Sequence, residues 1–226
     1  SGWTISPDGK KAAFVRDYNL WLKDMVSGAE TALTRDGTQD CAYAKSSMGM
    51  IPKPAARWSS DSRQLFTLQL HTEGVREALM TSYVPDGDDP YPKSYMNVKM
   101  AYPGDEHIPS YQLLLIDVES QQITTVEYSR LPHYLICDVN FGFFTAGLGW
   151  WAADNKRAYF FDISRSQKTL RLVEVDVTSG KTRLVFEETS DSFVKLRHDH
   201  TEMPMIVPLP ESDELILYSE RSGYGH

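Results

Sequence analysis

The sequence is poor in cysteine, in long apolar runs and in clustered positive charge, and each shortage removes a class of protein. Two cysteines among 226 residues, Cys41 and Cys137, cannot supply a disulfide framework. Each lies beside apolar residues, as buried free thiols do. No run reaches the roughly 20 apolar residues of a membrane span. Lys and Arg number 23 against 31 Asp and Glu, for a formal net charge of -8, and no basic stretch is present to follow a phosphate backbone. Nucleic acid is therefore not an expected partner. Asn19, Asn97, Asn140 and Asn155 all lack the Ser or Thr of a glycosylation sequon, which weakly favours an unglycosylated bacterial source.

The signatures of catalysis are also missing. A serine hydrolase needs a Gly-x-Ser-x-Gly elbow, whose small residues permit the strained turn that exposes the nucleophile, and none occurs. Neither a Walker loop nor a dinucleotide fingerprint is present, so no catalytic residue and no cofactor are expected. "RHDHTE" (197–202) is the most metal-like patch: His198 and His200 would share one face of a strand, with Asp199 or Glu202 as a further donor. It lacks a third ligand at fixed spacing, a solvated surface pair explains it more simply, and no metal site is expected. His71, His107, His133 and His226 stand apart and read as surface or hydrogen-bonded structural residues. The pairs Asp105-Glu106 and Glu187-Glu188 fall at turns or strand ends, where a solvated face accounts for them better than acid-base chemistry.

What the chain does contain is a repeat. With 41% hydrophobic and 12% aromatic residues it is rich enough to fold, and one local pattern recurs four times. "SPDGKKAAFV" (6–15), "SSDSRQLFTL" (59–68), "AADNKRAYFF" (152–161) and "PESDELILY" (210–218) each set a turn with a central acid before a β-favouring run. Asp8, Asp61, Asp154 and Asp213 can each bond their own turn backbone. In three units a second hairpin follows: "LWLKDMVSGAETALT" (20–34), "LLLIDVESQQITTVE" (113–127) and "LRLVEVDVTSGKTRLVFE" (170–187). Asp24, Asp117 and Asp176 hold equivalent places before these turns.

Two hairpins per unit make a four-stranded antiparallel meander, and such meanders repeated around an axis are the blades of a β-propeller. The expectation is an all-β partial propeller over 1–226, roughly three blades plus part of a fourth. A β-sandwich with coincidentally similar turns is the alternative. The last unit, 205–226, carries an apolar edge, "ELILYS", and is expected to be unordered or to pair with another chain. Trp150-Trp151 and "NFGFF" (140–144) are expected to pack between blades. "HTEGVREALMTSY" (71–83) lacks the apolar stripe of a helix and reads as a strand extension or part of an insertion.

The second unit is interrupted. The stretch from Asp61 to Asp117 is far longer than its counterparts, and within the excess near 72–110 the segment 89–109 carries Pro90, Pro92, Pro103 and Pro109. Proline fixes φ and withholds a donor, so this segment suits an extended arm leaving the blade between its two middle strands.

The ordered motifs resemble the N-terminal propeller domain of the dipeptidyl peptidase IV family, serine exopeptidases of the prolyl oligopeptidase clan. They are "ISPDGKKAAFVRDYNLWL" (5–22), "ARWSSDSRQLFTLQL" (56–70), the "YPK" and "YP" of the arm, "LLLIDV" (113–118) and "HYLICDV" (133–139). The resemblance implies a two-domain enzyme removing X-Pro or X-Ala dipeptides, with an α/β-hydrolase domain carrying the Ser-Asp-His triad downstream of this chain. It implies peptide substrates, a homodimer contacted through the arm at Tyr91, Pro92, Lys93, Tyr102 and Pro103, and a bacterial periplasmic or exterior location. Without that downstream domain the chain should be catalytically silent. A stand-alone propeller serving as an interaction scaffold is the alternative. In the family, paired glutamates on a propeller segment hold the substrate ammonium. The matching segment is "DCAYAKSSMG" (40–49), where Tyr43 fits but Ala44, Lys45 and Ser46 replace the acids. Asp40, Tyr43, Lys45 and Ser46 are thus the candidate substrate-facing residues, with Asp40 a possible substitute carboxylate.

Overall fold

The computed structural model describes residues 2–45, 54–84, 87, 89–91, 93–132, 149–194, 206–209, 211–212 and 214–225. Among these every regular element is a strand, so no described helix is long and apolar enough to cross a membrane. The first sheet is the meander β1 (Thr4–Ile5), β2 (Lys11–Arg16), β3 (Asn19–Asp24) and β4 (Glu30–Ala32). The second comprises β5 (Cys41–Tyr43), β6 (Ala56–Trp58), β7 (Gln64–His71), β10 (Ser110–Asp117), β11 (Ile123–Thr125) and β12 (Leu131–Pro132), with the hairpin β8 (Glu77–Ser82) and β9 (Lys93–Lys99) inserted between β7 and β10. The third is the meander β13 (Gly149–Trp151), β14 (Arg157–Ile163), β15 (Thr169–Asp176) and β16 (Thr182–Thr189), and β17 (Ile206–Leu209) pairs with β18 (Glu214–Leu217). The second sheet has six strands yet is only four wide. β5 and β6 share one edge of β7, and β11 and β12 share one edge of β10, because the eight-residue central strands are long enough for two short partners each.

Turn chemistry explains why the hairpins recur. Asp8 accepts from the Lys10 amide at 3.0 Å, Asp61 from the Arg63 amide at 3.2 Å and Asp154 from the Lys156 amide at 2.9 Å. The residue after each acid, Gly9, Ser62 or Asn155, takes a positive φ of 73°, 63° or 53°. Asp213, the fourth expected turn acid, lies outside the described residues. The outer turns repeat a second pattern, with Asp24, Asp117 and Asp176 accepting from the amides of Ser27, Ser120 and Ser179 at 2.7, 2.7 and 2.8 Å.

Strand alternation then buries both faces of a blade. In β10, Leu113 and Leu115 face the third sheet while Leu114 and Ile116 face the first. In β14, Ala158 and Phe160 face the second sheet while Tyr159 and Phe161 face the terminal hairpin. Trp151 packs edge-on against Phe66 with ring centroids 6.3 Å apart, and Trp150 stacks on Tyr159 at 5.4 Å. Both tryptophans therefore lie at faces between sheets, as expected; residues 140–144 lie outside the described set.

The described part of the terminal unit is ordered rather than unordered. β17 and β18 form a hairpin whose Leu215, Leu217 and Tyr218 pack against the core of Tyr159, Phe161, Leu170 and Leu172. Ser219, buried, donates to both carboxylate oxygens of Glu188 at 2.9 and 2.8 Å. Leu215 and Leu217 are half-buried against the chain's own third blade, while Ile216 and Leu209 stay exposed. Glu187 and Glu188 are also not a solvated pair: Glu187 binds Arg171 at 2.6 Å on one side of β16 and Glu188 is buried on the other.

Candidate functional site

The candidate substrate-facing residues fall along β5 and its exit. β5 is fixed by pairing with the far end of β7, Cys41 opposite His71, Ala42 opposite Leu70 and Tyr43 opposite Gln69. Tyr43 is buried, its amide donates to the Tyr18 carbonyl at 2.9 Å and its hydroxyl donates to Asp36 at 2.9 Å. Burial first, then the Asp36 carboxylate, pushes that hydroxyl up to about 12. Ala44 turns the chain with φ of 48°, and the Lys45 ammonium lies 5.8 Å from the Tyr18 ring centroid. Ser46 lies outside the described residues.

Asp40 points the other way, toward the root of the arm. Its carboxylate accepts from the Thr72 hydroxyl at 2.9 Å and pairs with Lys99 of β9 at 3.3 Å. Asp36 and Asp40 therefore each already hold a partner, and the structure does not bring a carboxylate pair together beside Tyr43 among the described residues.

A different cluster assembles at the arm root. The Cys41 thiol donates to Glu73 at 2.6 Å and lies 3.4 Å from His71 Nδ1, which is itself 3.5 Å from Glu73. Burial first, then the Glu73 carboxylate, pushes the thiol up to about 11. His71 is buried, and burial first, then the charge of Arg130, lowers its basicity. Its Nε2 is buried and has no hydrogen-bond partner among the described residues. A sulfur, an imidazole nitrogen and a carboxylate oxygen within 4.8 Å of one another are a possible ligand set for a metal ion. The reading of His71 as an isolated residue is thus corrected: strand pairing places it directly across from Cys41. No local signal in the sequence announces this, because the two residues meet only through β5–β7 register. Cys137 and the His198–Glu202 patch lie outside the described residues.

The arm leaves between the two middle strands. β7 and β10 pair directly from Ser110 opposite His71 to Asp117 opposite Gln64, and the β8–β9 hairpin forms a separate two-stranded sheet. At its root Arg76 pairs with Asp105 at 3.3 Å. Tyr91 is exposed, Lys93 pairs with Asp89 at 3.1 Å, and Tyr102 and Pro103 are exposed on the return segment. Pro92 lies outside the described residues.

Comparison with known proteins places this arrangement. The family model described as the dipeptidyl peptidase IV (DPP IV) N-terminal region matches residues 2–226. A protein named "Probable dipeptidyl peptidase 4" from Emericella nidulans is 26% identical over 194 residues, covering 80% of this chain and 23% of the relative. A "Probable dipeptidyl-aminopeptidase B" from Aspergillus oryzae is 28% identical over 133 residues, covering 54% of this chain and 15% of the relative. The solved dipeptidyl peptidase 4 of Porphyromonas gingivalis matches at a TM-score of 0.63 and 20% identity, covering 85% of this chain and 26% of that one. A Bacteroides ovatus protein assigned as a dipeptidyl aminopeptidase IV matches at a TM-score of 0.66 and 17% identity, over 100% of this chain and 28% of that one. The chain thus spans less than a third of the length of these proteins, and its open sheets are blades of a partial propeller. On the family match over nearly its whole length, this chain belongs to the dipeptidyl peptidase IV N-terminal region family.

Proposed function

We propose that this chain is the non-catalytic, substrate-gating propeller region of a serine dipeptidyl peptidase that removes X-Pro or X-Ala dipeptides from free N-termini. The observation that supports the reading is the family match across residues 2–226. The Ser-Asp-His triad would belong to an α/β-hydrolase domain of the longer protein, in keeping with the absence of a nucleophile elbow here. The propeller's part would be to admit and orient peptides, and the β8–β9 arm would contact the second subunit of a homodimer. To test it, the longer protein and the 226-residue chain are assayed side by side on Gly-Pro and Ala-Pro anilides. Hydrolysis by the longer protein with none by the chain supports the reading, and inactivity of both sinks it.

One observation favours a second reading. Lys45 occupies the segment where the family carries acids, and Asp36 and Asp40 already have partners. A lysine repels a substrate ammonium, so the parent would then cleave without counting from a free amine, or serve as an interaction scaffold. Hydrolysis of N-acetylated peptides separates the first of these from an exopeptidase.

A further inference from the structure

We propose that Cys41, His71 and Glu73 bind a single divalent cation of the zinc class at the root of the arm. The three donors differ in kind, and their combination selects the metal. Thiolate and imidazole suit zinc and its neighbours, whereas calcium and magnesium take oxygen alone.

The geometry is close to what a tetrahedral ion requires. With bonds of about 2.3 Å to sulfur and about 2.0–2.1 Å to nitrogen and oxygen, tetrahedral ligands stand roughly 3.4–3.6 Å apart. Cys41 Sγ to His71 Nδ1 is 3.4 Å and His71 Nδ1 to Glu73 is 3.5 Å, so two of the three separations are already in place. The third, sulfur to Glu73 at 2.6 Å, is a hydrogen bond through the thiol proton and must open by about 1 Å. Glu73 can supply that movement because its side chain is 56% exposed, whereas His71 is 9% exposed and fixed by its strand. Coordination through Nδ1 leaves the proton on Nε2, which is buried and has no acceptor among the described residues.

Binding is a substitution. The cation takes the place of the proton shared between Cys41 and Glu73, the thiol proton is released to solvent, and water completes the fourth position on the exposed side. The ion would tie β5 to the first residues of the arm, beside the Asp40–Lys99 pair that joins the residue before β5 to the arm's return strand β9.

The test is a Co²⁺ titration of the full chain followed by displacement with Zn²⁺. One equivalent of Co²⁺ should give a thiolate-to-cobalt charge-transfer band that Zn²⁺ abolishes. Cys137→Ser should keep the band. Cys41→Ser should lose it and weaken Zn²⁺ binding by more than the ~10–100-fold that losing an outer-shell partner costs. Glu73→Gln should weaken binding at least about 10-fold. In the unsubstituted chain, Zn²⁺ should also protect Cys41 from iodoacetamide, read by peptide mass spectrometry, which does not depend on the variant folding. A chain that gives no thiolate band, a band that follows Cys137, or alkylation of Cys41 unchanged by Zn²⁺ overturns the proposal.

Discussion

Trp151 donates from its indole nitrogen to the main-chain carbonyl of Arg57 at 3.1 Å, and one blade earlier Trp58 makes the same bond to Thr4 at 2.9 Å. In both cases a tryptophan at the end of the strand before a blade's acidic turn, β6 or β13, reaches back to the matching strand of the preceding blade, β1 or β6. Arg57 strengthens the second junction by donating to the Gly149 carbonyl. Each indole fills space between blades and satisfies its own polar atom in doing so.

Replacing this tryptophan separates the two contributions. Trp151→Phe keeps a ring against Phe66 but loses the bond, and should cost about 1–2 kcal/mol in urea unfolding, including the stranded Arg57 carbonyl. Trp151→Ala also empties the interface and should cost about 3–5 kcal/mol. Equal losses for the two variants would show that the bond between blades contributes everything and the packing nothing.

The outer turns offer a matched pair of substitutions. Gly180 has φ of 74°, and a Cβ there would lie 2.6 Å from the Thr125 carbonyl oxygen of the neighbouring blade. The Glu127 amide donates to the Gly180 carbonyl at 2.8 Å, so the turn cannot withdraw without breaking a bond between blades. Gly180→Ala should destabilise by at least about 2 kcal/mol, the sum of left-handed strain and the clash. Gln121 holds the same turn position in the second blade with φ of 60°. Gln121→Gly should raise stability by up to about 1 kcal/mol, read from the same urea midpoints.

Acid should loosen the turns. The Ser6 hydroxyl lowers the Asp8 carboxyl, the Ser27 amide lowers Asp24, the Lys156 amide lowers Asp154 and the Ser179 hydroxyl lowers Asp176. A carboxyl whose folded value lies below its unfolded value of 3.8 adds stability that is fully present above pH 3.8. That stability disappears as the pH falls through the folded value. Thermal midpoints should therefore drop steeply below about pH 4, and Asp24→Asn with Asp176→Asn should flatten that drop while lowering the midpoint at pH 7.

The arm should be separable from its blade. Since β7 and β10 pair directly from His71 and Ser110 onward, replacing 77–106 by a short Gly-Ser link should leave blade unfolding unchanged. If the arm is the subunit contact, sedimentation equilibrium of the longer protein should shift from dimer to monomer. A dimer that survives the deletion assigns the contact to another surface.

Local chemistry decided what the sequence could reveal. The Pro7-Asp8-Gly9 turn, the Ser and Gly after Asp24 and Asp176, and the prolines of the arm each carry their conformational meaning within a few residues. Three things depended on distant partners and were illegible. His71 meets Cys41 only because β5 lands on the far end of β7. Glu188 is buried only because Ser219 comes to it. Leu215 and Leu217 form an apolar edge in sequence that finds its cover on the third blade. In the candidate segment the strand around Tyr43 followed from local pattern, whereas the engagement of Asp40 by Lys99 depends on how the arm returns.

The proposed function places these blades in a longer peptidase that acts from a free amino terminus. Its most direct measurement is kcat/KM of the longer protein on Ala-Pro anilide and on the same substrate N-acetylated. If the reading holds, the free form is hydrolysed and acetylation costs at least ~100-fold, the scale of discarding a charge-assisted anchor of about 3 kcal/mol; with Asp36 and Asp40 engaged, that anchor would be a carboxylate elsewhere in the longer protein. Equal hydrolysis of both forms, or of the acetylated form alone, would contradict it.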